Sequence, residues 1–207
     1  MTWIKICGIT NIEDALNVAS LGADALGFIF APSPRRVDPV TVRGIVRSFP
    51  TSLLKVGVFL NHTLSDVQEI AAYCHLDSLQ FHGEESPGYC QKFSQQVIKT
   101  IRIRGLESLK NMVRFRNVWI LLDTYNPTKG GGTGIQFPWE VALKAKEERD
   151  FILSGGLNPS NVGEAIKKVR PMGVDVCTGV ETTPGKKDLS RLADFVKEVR
   201  KADENTG

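Results

Sequence analysis

WIKICGITNIEDALNVASLGADALGFIF, residues 3–30, changes its hydrophobic period twice. Trp3–Cys7 is a short, mostly apolar run that reads as a buried strand. Thr10 and Glu13 have the spacing of a capping box, in which a hydroxyl and a carboxylate satisfy free amides at a helix start. Ile12, Ala15, Leu16 and Ala19 then recur at the spacing of one helix face. Gly22 closes that helix, and Ala25–Phe30 is a second apolar run. Strand, helix and strand in this order form a βαβ unit. Near-continuous apolar strands are expected when helices cover a parallel sheet.

The unit recurs to the end of the chain. Leu54–Leu60, Leu79–Phe81, Val97–Ile103, Val118–Leu122, Asp150–Leu153 and Val174–Val176 read as six further strands. Helices fall between them. Asp38-Pro39 is an N-cap with proline at the first helical position, ahead of a stripe of Val42, Ile45, Val46 and Phe49. Thr63 caps a helix with Val67, Ile70, Ala71 and Cys74 on one face, which makes Cys74 a core residue. Helical segments follow near Tyr89–Gln95, Leu106–Phe115 and Trp139–Lys146. Asn158-Pro159 starts another helix, and Asp188 caps the last. Eight strand–helix units in 207 residues predict an α/β protein with a single-domain (β/α)8 TIM barrel over residues 1–200. Residues 201–207 read as a frayed tail. No early G-x-G-x-x-G supports a dinucleotide-binding sheet.

Composition narrows the function. The net charge of +3 comes with no basic stripe and no block of like charges, which argues against nucleic acid. Lys167-Lys168 and Lys186-Lys187 read as solvated surface. The longest apolar runs are too short to span a bilayer, so no membrane is implied. Cys7, Cys74, Cys90 and Cys177 form no C-x-x-C and no disulfide framework. With no leader pattern at its start, the chain is expected in the cytoplasm. His62, His75 and His82 lack metal-ligand spacing, so no metal site is expected.

In such barrels chemistry gathers at the C-terminal ends of the strands. Cys7 follows strand one, Ser33-Pro34-Arg35-Arg36 strand two, and His82-Gly83-Glu84-Glu85 strand four. Asp123 follows strand six, ahead of the loop Gly130–Gly134. Ser154-Gly155-Gly156 and Cys177-Thr178-Gly179 follow strands seven and eight. Singly, each has an ordinary structural reading: packing for Cys7, a loop cap for Asp123, a tight turn for the glycines. Together they suit a phosphosugar. Glycines after strands seven and eight let backbone amides approach a phosphate. The glycine-rich loop could close over the site as a lid. An arginine after strand two can pair with a carboxylate through two parallel hydrogen bonds. Cys7 and Asp123 face each other across the mouth, one to take a proton and one to give it.

At this point the chain resembles the phosphoribosylanthranilate isomerases of tryptophan biosynthesis. The segments that carry the resemblance are KICGIT (5–10), GADALGFIF (22–30), SPRRV (33–37), KVGVF (55–59), LQFHGEE (79–85), LLDTY (121–125), GGTG (131–134), LSGGLNPSNV (153–162), GVDV (173–176), TGVE (178–181) and PGKKD (184–188). They span nearly the whole chain, in order. The resemblance implies an Amadori rearrangement of N-(5-phosphoribosyl)anthranilate to 1-(2-carboxyphenylamino)-1-deoxyribulose 5-phosphate, without metal or organic cofactor. It makes Asp123 the acid that protonates the furanose ring oxygen and Cys7 the base that removes the C2 proton. It places the anthranilate carboxylate on Arg35, with Arg36 as the alternative. Phosphate falls to the amides of Gly155, Gly156, Thr178 and Gly179, and His82 lies in a family motif without an assigned step. Each role sets an electrostatic condition. An ordinary thiol is only ~3% ionised at pH 7, a deficit worth about 2 kcal/mol. Asp123 in turn needs a partly desolvated site to hold its proton.

One position departs from the family pattern. Cys177-Thr178 stands where two serines are usual, so one phosphate contact is expected to weaken. The related sugar-phosphate isomerases of histidine biosynthesis resemble one another in using an aspartate after strand one, and Cys7 argues against that activity.

Overall fold

The computed structural model describes residues 1–48, 53–124 and 139–204. Eight strands lie in chain order: β1 (Trp3–Cys7), β2 (Ala25–Ile29), β3 (Leu54–Phe59), β4 (Ser78–Phe81), β5 (Gln96–Ile103), β6 (Trp119–Thr124), β7 (Ile152–Leu153) and β8 (Gly173–Val176). Each pairs with the next and β8 returns to β1, which closes the barrel. Every neighbouring pair is parallel. The connections carry α1 (Ile12–Ser20), α2 (Pro39–Arg47), α3 (Leu64–Cys74), α4 (Pro87–Cys90), a 3-10 helix (Leu106–Arg114), α5 (Trp139–Glu148), α6 (Val162–Val169) and α7 (Leu189–Glu204). This is the (β/α)8 TIM barrel expected from the repeating unit.

Side chains alternate across each strand, and the barrel has two apolar regions as a result. The larger lies between strands and helices and includes Ile4, Ile6, Leu26, Phe28, Leu79, Phe81, Leu122 and Val174. The smaller fills the barrel axis with Ala25, Val56, Ile98, Leu121 and Ile152. Trp3 and Trp119 close its floor edge to face, with ring centroids 5.5 Å apart. Toward the other end of the barrel the axis turns polar. Lys5 meets Asp175 at 2.8 Å, and the Gln80 amide donates to Thr100 Oγ1 at 3.2 Å.

Local differences from the sequence expectation have tertiary causes. Asn11, not Thr10, caps α1, accepting from the Asp14 amide at 2.8 Å. Thr10 instead donates its hydroxyl to the Gly185 carbonyl at 2.5 Å. Helix α6 starts after Asn161, because Asn158–Asn161 forms a turn closed by a bond from the Asn158 amide to Asn161 Oδ1. Residues 201–204 do not fray. Helix α7 runs to Glu204, Ala202 is buried, and Asp203 accepts from the Thr2 amide and hydroxyl. Phe49 and the loop Gly130–Gly134 lie outside the described residues. No described helix is long and apolar enough to cross a membrane.

Beyond β8 the chain adds something that the periodic reading does not contain. A 3-10 turn, Thr178–Val180, leads into an antiparallel hairpin of β9 (Glu181–Thr183) and β10 (Lys186–Lys187). Lys187, expected at the surface, is buried there: its ammonium donates to the Cys7 carbonyl at 2.5 Å and to Glu181 at 2.9 Å.

Candidate active site

The site follows from alternation. Trp3 and Lys5 face the barrel axis, so Cys7, two residues past Lys5, faces it too. Leu121 lies in the axial core, and Asp123 stands two residues above it. His82 likewise follows Gln80, and Arg102 follows Thr100. One polar layer at the C-terminal mouth thus collects Cys7, His82, Arg102 and Asp123 above the Lys5–Asp175 pair. The chain can turn at Cys7 because Gly8 takes φ +77° and its amide bonds the Gly27 carbonyl at 2.9 Å. A Cβ at Gly8 would stand 2.8 Å from the Arg35 side chain. Glycine is therefore required on both steric and dihedral grounds.

The two proton carriers are shifted in opposite directions. A hydrogen bond from Cys177 lowers the Cys7 thiol to about 7; burial opposes this, and the Lys5 ammonium supports it. Lys5 keeps its charge although fully buried, because Asp175 and Cys7 outweigh its desolvation. Burial raises Asp123 to about 7, reinforced by the negative charges of Asp175 and Cys7, although the Thr124 amide donates to Oδ1 at 2.8 Å. Desolvation, with the cations Arg102 and Lys99, pushes His82 down to about 4. Its Nε2 lies 3.5 Å from Asp123 Oδ2, too far for a made hydrogen bond, and is buried without one among the described residues. At neutral pH a neutral imidazole therefore faces the Asp123 carboxyl.

Arg35 and Arg36 diverge. Arg35 is buried and holds Glu181, with Nε at 2.8 Å from Oε1 and Nη2 at 2.7 Å from Oε2. Burial works to raise Glu181, but Arg35 and Lys187 hold its carboxyl below its ordinary value. That cluster fastens the β9–β10 hairpin over the β1 end. Arg36 is exposed, pairs its backbone with Ile29 at the mouth end of β2, and has no ion pair among the described residues.

Gly155 and Gly156 both have positive φ after β7. A Cβ at Gly155 would stand 2.3 Å from Thr124 Oγ1, so this loop lies directly against the residue after Asp123. The turn is held from behind by Asn161, whose Nδ2 donates to the Gly156 carbonyl at 3.0 Å. Thr178 Oγ1 lies 3.4 Å from Arg35 Nη2, and Gly179 sits in the 3-10 turn after β8.

The sequence reading missed the second tier of charge. Glu85 accepts from Lys99 at 2.8 Å and from the Asn61 and Gly83 amides, which fixes the loop behind His82. Lys5 and Asp175 do the same beneath Cys7. Lys5 and Asp175 stand on the axial face of otherwise apolar strands, Lys99 points from β5 into the outer shell beside Phe115, and Glu85 lies in the loop after β4. A cleft of about 460 Å³ lies to one side, between the β4–α4 loop and the 3-10 helix, lined by Gly83, Lys99, Arg102, Glu107 and Phe115. It includes neither Cys7 nor Asp123. No cluster of residues able to hold a metal occurs among the described residues.

Known proteins resemble this chain over nearly its whole length. The family described as PRAI: N-(5'phosphoribosyl)anthranilate (PRA) isomerase matches residues 4–198. The chain is 49% identical to the N-(5'-phosphoribosyl)anthranilate isomerase of Desulforudis audaxviator, over 98% of this chain and 100% of that one. The isomerase of Geobacter sp. (strain M21) is 46% identical, over 97% of this chain and 99% of its own. The crystal structure of the phosphoribosyl anthranilate isomerase from Thermotoga maritima superposes with a TM-score of 0.92 at 41% identity, covering 97% of this chain and 100% of that one. A phosphoribosyl anthranilate isomerase in complex with reduced 1-(o-carboxyphenylamino)-1-deoxyribulose 5-phosphate superposes at 0.88 with 40% identity, over 97% and 100% of the chains. This chain belongs to the N-(5'-phosphoribosyl)anthranilate isomerase family.

Proposed function

We propose that the protein isomerises N-(5'-phosphoribosyl)anthranilate to 1-(2-carboxyphenylamino)-1-deoxyribulose 5-phosphate in tryptophan biosynthesis, with Asp123 as acid and Cys7 as base. One observation carries the assignment of roles. The two groups that face the mouth from β1 and β6 are a thiol made more acidic and a carboxyl made less so. An ordinary aspartate would be about 0.1% protonated at pH 7. Asp123 holds its proton on a substantial fraction of molecules and can give it to the furanose ring oxygen, opening the ring to a Schiff base. Cys7, ionised to a similar degree, takes the proton from C2 to give the enolamine, which tautomerises to the ketone. His82, being neutral, leaves the Asp123 proton in place and offers a polar edge beside the opening ring.

The phosphate sits against the Gly155 and Gly156 turn and the Thr178–Gly179 turn, where strands β7 and β8 end. The anthranilate carboxylate goes to Arg36. Arg35 stands first in the family motif, but releasing its guanidinium would strand Glu181 as a buried charge. The test is direct: mix the protein with N-(5'-phosphoribosyl)anthranilate and follow the loss of its fluorescence. Arg36→Ala is expected to raise KM about 10–100-fold, the worth of a charged hydrogen-bonded contact, with a smaller change in kcat. Arg35→Ala is expected to act mainly on stability, by about 3–5 kcal/mol, because it breaks a buried pair. A normal KM in Arg36→Ala would return the carboxylate to another group.

A further inference from the structure

The ends of β1 and β8 carry an arrangement that proton transfer alone does not use. These strands are neighbours in register, with Lys5 opposite Asp175 and Ile6 opposite Val176. One step further places Cys7 opposite Cys177, on the same axial face as Lys5 and Asp175, whose side chains already touch. In-register positions on adjacent strands lie about 4.8 Å apart, inside the ~4.4–6.8 Å span of a disulfide. The Cys177 sulfur also lies against the β1 end: a Cβ on Gly8, the residue after Cys7, would stand 2.9 Å from Cys177 Sγ, and its thiol lies 3.8 Å from Glu181 Oε1 in the cluster that covers Cys7. Both are free thiols.

We propose that Cys7 and Cys177 are a dithiol that a hydroperoxide closes to a disulfide, switching the isomerase off reversibly. The Cys7 thiolate attacks the peroxide oxygen, the O–O bond breaks, and the leaving oxygen takes a proton from solvent, which leaves a sulfenic acid. Cys177 sulfur then attacks Cys7 sulfur; the S–O bond breaks and the hydroxide departs with the Cys177 proton as water. Two thiols lose two electrons, and hydrogen peroxide is reduced to two waters (an organic hydroperoxide to an alcohol and one water). The surroundings favour the first step. Lys5 lies beneath Cys7, and the Lys187 ammonium lies over the Cys7 and Cys177 carbonyls at 2.5 and 3.4 Å. Each ammonium is paired, Lys5 with Asp175 and Lys187 with Glu181, and lysines held this close to a thiol favour its thiolate, as at reactive cysteines. Cys74 and Cys90 form the contrast: both sit in the apolar shell, where burial raises their thiols to about 11. A serine at position 177 could not make the bond.

The cross-link rests on the two sulfur positions, whereas its effect on turnover rests on Cys7 as the base, so the two are read separately. Whole protein is treated with hydrogen peroxide and examined by intact mass, peptide mapping and the fluorescence assay. The expected result is loss of two hydrogens, a Cys7–Cys177 linked peptide, and a fall in activity of more than about tenfold that dithiothreitol restores. Oxygen added at Cys7 with no linked peptide would overturn the dithiol. A linked peptide with full activity would overturn the switch and Cys7 as base together. In Cys177→Ser, Cys7 is expected to pass on to the sulfinic acid, which dithiothreitol does not reverse. Full recovery of that variant would overturn the protective role of Cys177.

Discussion

Cys7→Ser is expected to lower kcat by about 10²–10⁴-fold, the usual worth of a positioned proton carrier. The hydroxyl is close in shape and keeps the contacts around Gly27, so folding is not the cause. What is lost is an ionisable group near neutrality, because a serine hydroxyl does not ionise there. Asp123→Asn gives a loss of the same order for the opposite reason: the amide still accepts from the Thr124 amide but has no acidic proton to give. The two substitutions separate in stability. The folded-state pKa of Asp123 is raised, from an ordinary 3.8 to about 7, so its contribution is fully present below about pH 4 and lost as pH rises through 7. Above pH 7 the wild type therefore carries an unfavourable buried carboxylate. Asp123→Asn is expected to be more stable there by up to about 4 kcal/mol and near wild type at pH 4. Denaturant unfolding at the two pH values measures this. A variant that is both inactive and destabilised at pH 8 would contradict the assignment.

The second large effect falls on Lys5. Lys5→Met strands Asp175, which is buried on the barrel axis with its carboxylate on the lost ammonium at 2.8 Å. Breaking one side of such a pair costs about 3–5 kcal/mol, whereas replacing both sides with apolar groups is often close to neutral. The double variant Lys5→Met, Asp175→Leu should therefore recover most of the stability. It should not recover the activity, because Lys5 also helps to keep Cys7 ionised. Stability returning without turnover separates the electrostatic role of Lys5 from its packing role. If the double variant is as unstable as the single one, the pair is not what matters at that layer.

The residues explain which parts of the molecule were legible in the sequence. Strands such as Trp3–Cys7 and Leu54–Phe59 stood out because a barrel strand has helices on one side and a packed axis on the other. The positions of Cys7 and Asp123 at the mouth were legible for a related reason: each lies where an apolar run stops, and that is the C-terminal end of a barrel strand. Lys5, Lys99 and Asp175 were hidden inside those runs, since their burial depends on partners from other strands. The hairpin over the mouth was illegible because β9 and β10 are three and two residues long. Its anchors, Glu181 and Lys187, are charged residues that a linear reading leaves at the surface. Arg35 shows the same limit: which of two adjacent arginines is free was decided by Glu181, far along the chain. At the C-terminus, a polar segment read as frayed is helical through Glu204, because Asp203 holds the Thr2 amide across the full length of the protein.

The division of labour between thiol and carboxyl is tested most directly by the pH dependence of kcat/KM, measured from about pH 5 to 9 in the wild type and in Asp123→Asn. The pair should give a bell with its maximum near pH 7. Its acid limb marks protonation of the Cys7 thiolate, and its alkaline limb marks ionisation of Asp123. In Asp123→Asn the residual rate should keep the acid limb and lose the alkaline one. A wild-type profile that is flat across this range, or an alkaline limb that survives in Asp123→Asn, would contradict Cys7 as base and Asp123 as acid.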